Sequence, residues 1–162
     1  GICSGYEWVE NVQRPGAEEP NDNEKYEFRP RDPKLAQGTG IPALLTLLNS
    51  ARERHPALRQ LHDIRIHPTT SDRLLCFSKH VPARFSPTGV PDTVIVVLSL
   101  DPENTVEGEV HVDLSGLSLG TSSANFTVVD ELDGQRYSWS TTNWVRLSPW
   151  DRLGHVMAIE TE

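Results

Sequence analysis

Carboxylates crowd the first part of the chain: Glu7, Glu10, Glu18, Glu19, Glu24, Glu27 and Asp32. General acid–base work needs two carboxyls a defined gap apart, with environments that drive their pKa values in opposite directions. Nothing in a loop sequence fixes such a gap, so these acids read as solvated and none is assigned a catalytic role. The densest stretch is NEKYEFRPRDP, Asn23 to Pro33. Lys25 carries a compact ammonium on a long stem, suited to hydroxyl or phosphate oxygens. Tyr26 beside it offers a ring face and a donor. Arg29 and Arg31 flank Pro30, which makes the backbone stiff and extended. Glu27 and Asp32 could pair with them and pin the loop. Two readings follow: a solvated linker, or a loop that grips a polar ligand.

Other chemistries find little support. Of the six histidines, His55, His62 and His67 recur without an HxxxH or HExxH spacing, so no metal site is predicted. Ser4 lacks the glycine two residues earlier that a nucleophile elbow needs. Gly1, Gly5, Gly16, Gly38 and Gly40 do not have phosphate-loop or dinucleotide spacings, and no cofactor is implied. Trp139, Trp144 and Trp150 could offer indole faces to sugars. Trp139 and Trp144 fall in alternating strand patterns, which assigns them instead to a core or an interface.

The elements that must position these residues change along the chain. With 162 residues, 18.1 kDa, a net charge of -8 and a pI near 5.2, the chain suits one good core and is a poor partner for nucleic acid or an anionic membrane. No apolar run approaches the roughly 20 residues of a membrane span, and the start shows no signal peptide. Cys3 and Cys76 sit among apolar neighbours, as small buried hydrophobes do, and fit a reducing cytoplasm. Asn125-Phe126-Thr127 matches a glycosylation sequon by chance. Residues 1–40 are rich in glycine, proline and charge, and the long loop within them is of the kind that is functional or disordered. Over 41–61, Ile41, Leu44, Leu45, Leu48 and Ala51 share one helical face, with Thr39 as N-cap and Pro56 as terminator. Residues 62–162 alternate in short strands: Ile64–His67, Leu74–His80, Thr93–Leu100, Val106–Leu114, Asn125–Asp130, Gln135–Trp139, Trp144–Leu147 and His155–Glu160. TVIVVLSL predicts a central strand covered on both faces, Asp133-Gly134 a hairpin, and the whole an antiparallel sandwich. The lone helix lacks a partner of its own, which suggests a C-terminal piece of a larger protein.

Taken in order, GICSGYEWVENV, NEKYEFRPRD, LLTLLNSARERHPALRQL, LLCFSKH, VIVVLSLDP, VVDELDGQRYSW and NWVRLSP resemble the C-terminal part of bacterial α-1,4-glucan:maltose-1-phosphate maltosyltransferases, of the α-amylase family, glycoside hydrolase family 13. The resemblance implies a mixed fold: residues 1–61 as strand 8, substrate loop and helix 8 of a (β/α)8 barrel, and residues 62–162 as an all-β sandwich, domain C. It implies a retaining transfer of maltosyl units from maltose 1-phosphate to the non-reducing end of an α-1,4-glucan. The catalytic carboxylates come from earlier barrel strands and have no counterpart here, so the chain alone is expected to be inactive. Lys25 and Tyr26 match the family's Lys-Tyr pair that contacts the maltosyl unit, while Glu7 matches a rim position that supports structure. Pro20-Asn21-Asp22-Asn23 departs from the family's usual Tyr-Leu-Asp-Ser. The expected partners are donor, acceptor glucan and the rest of the barrel, in a cytoplasmic homodimer. The rival reading is a stand-alone β-sandwich glycan-binding module with the tryptophans as platform.

Overall fold

The computed structural model describes residues 5–10, 12–18, 28–115, 117 and 125–160. The chain forms two compact units, residues 1–47 and 48–162. In the first, a 3₁₀ turn at Tyr6–Trp8 precedes the short helix α1 (Pro33–Ala36), a second 3₁₀ turn (Gln37–Thr39) and the start of α2 (Ile41–Arg54). Thr39 caps α2 from one residue further out than expected. Its hydroxyl accepts from the Ile41 N–H at 3.3 Å, while the Gly40 carbonyl takes the first helical bond, from Leu44. Pro56 ends α2 as predicted, but the chain turns at once into a second helix, α3 (Pro56–Arg59), with proline at its first position. Among the described residues of α2 only Ala51 is buried, and Leu44, Leu47 and Leu48 are exposed.

Among the described residues the second unit holds eight strands: β1 (Ile64–His67), β2 (Leu74–Val81), β3 (Asp92–Ser99), β4 (Val106–His111), β5 (Phe126–Asp130), β6 (Arg136–Trp139), β7 (Thr142–Leu147) and β8 (Gly154–Ile159). Six of them form one antiparallel sheet in the order β1-β2-β3-β8-β5-β6, and β4 and β7 form a second. The last strand thus lies between β3 and β5. Glu131 to Gln135 close the β5–β6 hairpin around Asp133-Gly134.

Alternation decides what each face meets. Cys76, Ile95, Val97, Val128 and Met157 from the large sheet share one core with Val106, Val110, Val145 and Leu147 from the small one, which makes the pair a sandwich. The intervening β3 residues Val94 and Val96 point the other way, into a smaller cluster with Val156, where Leu58 of α3 joins them. That is why β3 reads as an unbroken apolar run. The Cys76 thiol is wholly buried and pushed up to about 12 by that burial, so it packs as a hydrophobe. Gly154 lets β8 approach β3: a Cβ there would lie 2.7 Å from Leu98 Cδ2 and 3.0 Å from the Val97 carbonyl oxygen.

Candidate functional site

The described arms of the long loop are tied to each other within the first unit. Gly5, at φ 107°, opens the Tyr6–Trp8 turn and Val9, at φ 55°, closes it. A β-branched residue in the left-handed region is strained. Glu10 follows it, and its carboxylate receives Arg31 Nε and Nη2, each at 2.8 Å, in a bidentate pair, with Arg29 Nη1 at 3.7 Å. The hydrogen bond from Arg31 holds the Glu10 carboxyl below its ordinary range. A Cβ on Gly5 would lie 2.4 Å from Glu10 Oε2 and would have to displace that carboxylate, at a φ that favours glycine in any case.

Trp8 Nε1 donates to the Asp32 carbonyl at 3.0 Å, and the Arg31 guanidinium lies 5.9 Å from the Trp8 ring centre. Asp32 Oδ1 accepts from the Lys34 N–H at 3.0 Å and caps α1. Glu7 Oε2 accepts from the Gly5 N–H at 3.2 Å, and the Thr39 hydroxyl donates toward the Glu7 carbonyl at 2.9 Å. Arg29 and Arg31 do brace the loop, on Glu10; the expected pairing with Glu27 lies outside the described residues. A carboxylate held by a guanidinium fork stays ionised and shapes a loop; it is not a proton carrier. Lys25 and Tyr26, like Glu24, Glu27 and Cys3, lie outside the described residues.

Two polar clusters in the second unit escaped the sequence reading. At the α2–α3 corner, His55 Nδ1 lies 2.8 Å from Asp92 Oδ1 and Nε2 lies 3.2 Å from Glu131 Oε1. Asp92 Oδ2 also accepts the Ala57 N–H at 2.8 Å, and Arg54 pairs with Glu131. Arg59 donates to the carbonyls of Arg52 and Glu53, closing the end of α2. A carboxylate beside each ring nitrogen favours the protonated, cationic ring. The hydrogen bond to Asp92 chiefly raises the His55 pKa, against the opposing effect of burial, and Glu131 adds to it. A raised folded-state value stabilises fully below the unfolded value of about 6.5 and loses that stabilisation as pH rises through the folded value. The urea midpoint should therefore fall above about pH 6.5 in wild type. His55→Gln should flatten that part of the profile, and equal slopes in the two proteins would exclude this role.

The second cluster centres on Asp130, at 0% exposure. Its Oδ2 accepts from His155 Nδ1 at 2.7 Å and Arg152 Nη1 at 3.1 Å, while Oδ1 accepts from the N–H groups of Leu132 and Val156 at 3.1 and 3.3 Å. Arg152 also reaches Asp133 at 2.6 Å. The tryptophan expectation holds only in part. Trp139 is buried at 6%, but Trp144 and Trp150 are 62% and 87% exposed. Val145 and Leu147 take the inward parity of β7, so Trp144 falls on the other side, a signal already present in the WVRL pattern.

This geometry defines an antiparallel β-sandwich introduced by a helix–proline–helix corner and braced by two polar clusters. Residues 66–159 match the family model described as GLGE, C-terminal, and the chain belongs to that family. An alpha-1,4-glucan:maltose-1-phosphate maltosyltransferase of Bifidobacterium longum is 42% identical over 99% of the chain and 21% of its own length. Namesakes from Streptomyces coelicolor (41%, over 98% of the chain and 23% of the relative) and Mycobacterium tuberculosis (38%, over 97% and 22%) are similar in the same way. The chain thus spans between a fifth and a quarter of these relatives.

Proposed function

We propose that the chain is the carboxyl-terminal part of a retaining maltosyltransferase of the α-amylase family, acting in α-glucan synthesis in the cytoplasm as a homodimer. The parent would move maltosyl units from maltose 1-phosphate to the non-reducing end of an α-1,4-glucan. The observation that carries this reading is the similarity to enzymes of that name over nearly the whole chain, in order. On this reading, residues 1–61 complete a (β/α)8 barrel as strand 8, substrate loop and helix 8, and residues 62–162 form domain C. Barrel enzymes place their sites on loops at the carboxyl ends of strands. Lys25 and Tyr26 would touch the donor's maltosyl unit there, with the Glu10–Arg31 pair as the brace at the loop's base. The catalytic carboxylates lie in earlier strands, so the chain alone transfers nothing.

The test uses the intact parent enzyme. Phosphate release from maltose 1-phosphate with glycogen as acceptor should fall about 10-fold or more in kcat/KM for Lys25→Ala, a loss of at least about 1.4 kcal/mol of transition-state stabilisation. An unchanged kcat/KM removes Lys25 from the donor site.

A further inference from the structure

We propose that the second unit carries a glycan-binding cleft of its own, in which a run of pyranose rings from an α-1,4-glucan lies across Trp144. The cleft, of about 430 Å³, opens between β6, β7 and the turn that leads into β8. β6 closes one edge of the six-stranded sheet, and β7 pairs only with β4, so both strands present a free edge among the described residues. Trp139, Val145 and Met157 make its floor, and Tyr137, Trp144 and Arg152 stand on its walls. A second depression of about 530 Å³ adjoins it and shares Tyr137, Trp139 and Trp144. The exposed indole therefore borders both hollows. Two adjoining hollows suit a linear chain better than a single compact ligand.

The chemistry of the walls selects the ligand class. An indole face is electron-rich, and the C–H faces of a sugar ring present partial positive charge to it. The polar groups are held in place before any ligand arrives. Arg152 is fixed by Asp130 and Asp133, and His155 by Asp130, on a carboxylate with no exposure at all. The Tyr137 hydroxyl donates to Gln135 Oε1 at 2.9 Å, and its ring meets His155 edge-on at 6.0 Å. Such preset planar donors and acceptors match pairs of neighbouring hydroxyls at small entropic cost. Charge argues against an anion: Arg152 faces Asp130, Asp133 and Asp151, and Arg146 faces Glu107.

That the rings belong to an α-1,4-glucan rests on the proposed function; the preference for neutral polyhydroxylated rings does not. The test is native affinity electrophoresis of the 162-residue chain in amylopectin, with maltoheptaose titrated against tryptophan fluorescence. Wild type should be retarded and give a saturable change. Trp144→Ala should weaken binding about 10-fold or more with an unchanged circular dichroism spectrum. Trp150→Ala, outside the cleft, should bind as wild type does. No retardation of wild type, equal retardation of Trp144→Ala, or equal binding of cellohexaose would each overturn the proposal. Phosphate release by Lys25→Ala in the parent does not depend on this cleft, so either reading can fail without the other.

Discussion

Asp130→Ala should lower the unfolding free energy by about 3–5 kcal/mol, the usual range when one partner of a buried ion pair is removed. Asp130 ends β5 with no exposure and receives four hydrogen bonds, two of them from the side chains of Arg152 and His155. Alanine would leave two backbone N–H groups without their acceptor and Arg152 with one buried carboxylate fewer. Burial pushes the Asp130 carboxyl up, but the hydrogen bonds from His155, Leu132 and Val156 outweigh it, and the net shift is downward. A depressed folded-state value gives stability that is present above the unfolded value of about 3.9 and lost as pH falls through the folded value. Wild type should therefore lose stability in acid more steeply than Asp130→Asn, which keeps the shape without the charge. Urea unfolding at neutral pH and near pH 3 reads both effects. A loss below about 1 kcal/mol for Asp130→Ala would mean that water reaches the site and replaces the carboxylate.

Leu147→Ala should cost about 2–5 kcal/mol, as truncation of a buried leucine does when the cavity closes only in part. Leu147 has no exposure, pairs with Val106 across the small sheet, and packs in the core shared with the large one. Trp144→Ala removes a far larger side chain three positions earlier on the same strand, yet should change stability by no more than about 0.5 kcal/mol, as exposed substitutions do. The contrast is sharp because the side-chain period of a strand is two. A register slip of one residue would reverse the order of the two effects. Chemical unfolding of the two variants side by side decides it.

These cases separate what the sequence could disclose from what it could not. Period-two alternation marked the strands, because which residues face a core is local information. It did not reveal that Val94 pairs with Ala158 or that β8 is an inner strand, since alternation reports a face and not a neighbour. The His55 clasp was hidden for the same reason: its carboxylates stand 37 and 76 residues away, at Asp92 and Glu131. Arg31 and Glu10, 21 residues apart, were both visible as charges but not as a pair. Trp144 was different. Its outward parity against Val145 and Leu147 was legible, and the general tendency of tryptophan to be buried obscured it. Lys25 and Tyr26 stand out through a motif alone, because no periodicity governs the sequence around them.

The placement of β8 also has a consequence for how the unit comes into being. β1, β2 and β3 can pair with one another as they are made, and β5 with β6, since each is joined to its neighbour through short separations. Among the described strands the two groups have no common neighbour until residues 154–159 arrive to bridge them. On a ribosome, the amino-terminal three strands would wait with the inner edge of β3 open while some 60 further residues are added. Pairings of such sequence separation form slowly, and open edges invite association with other chains. The arrival of β8 thus turns two partial sheets into one.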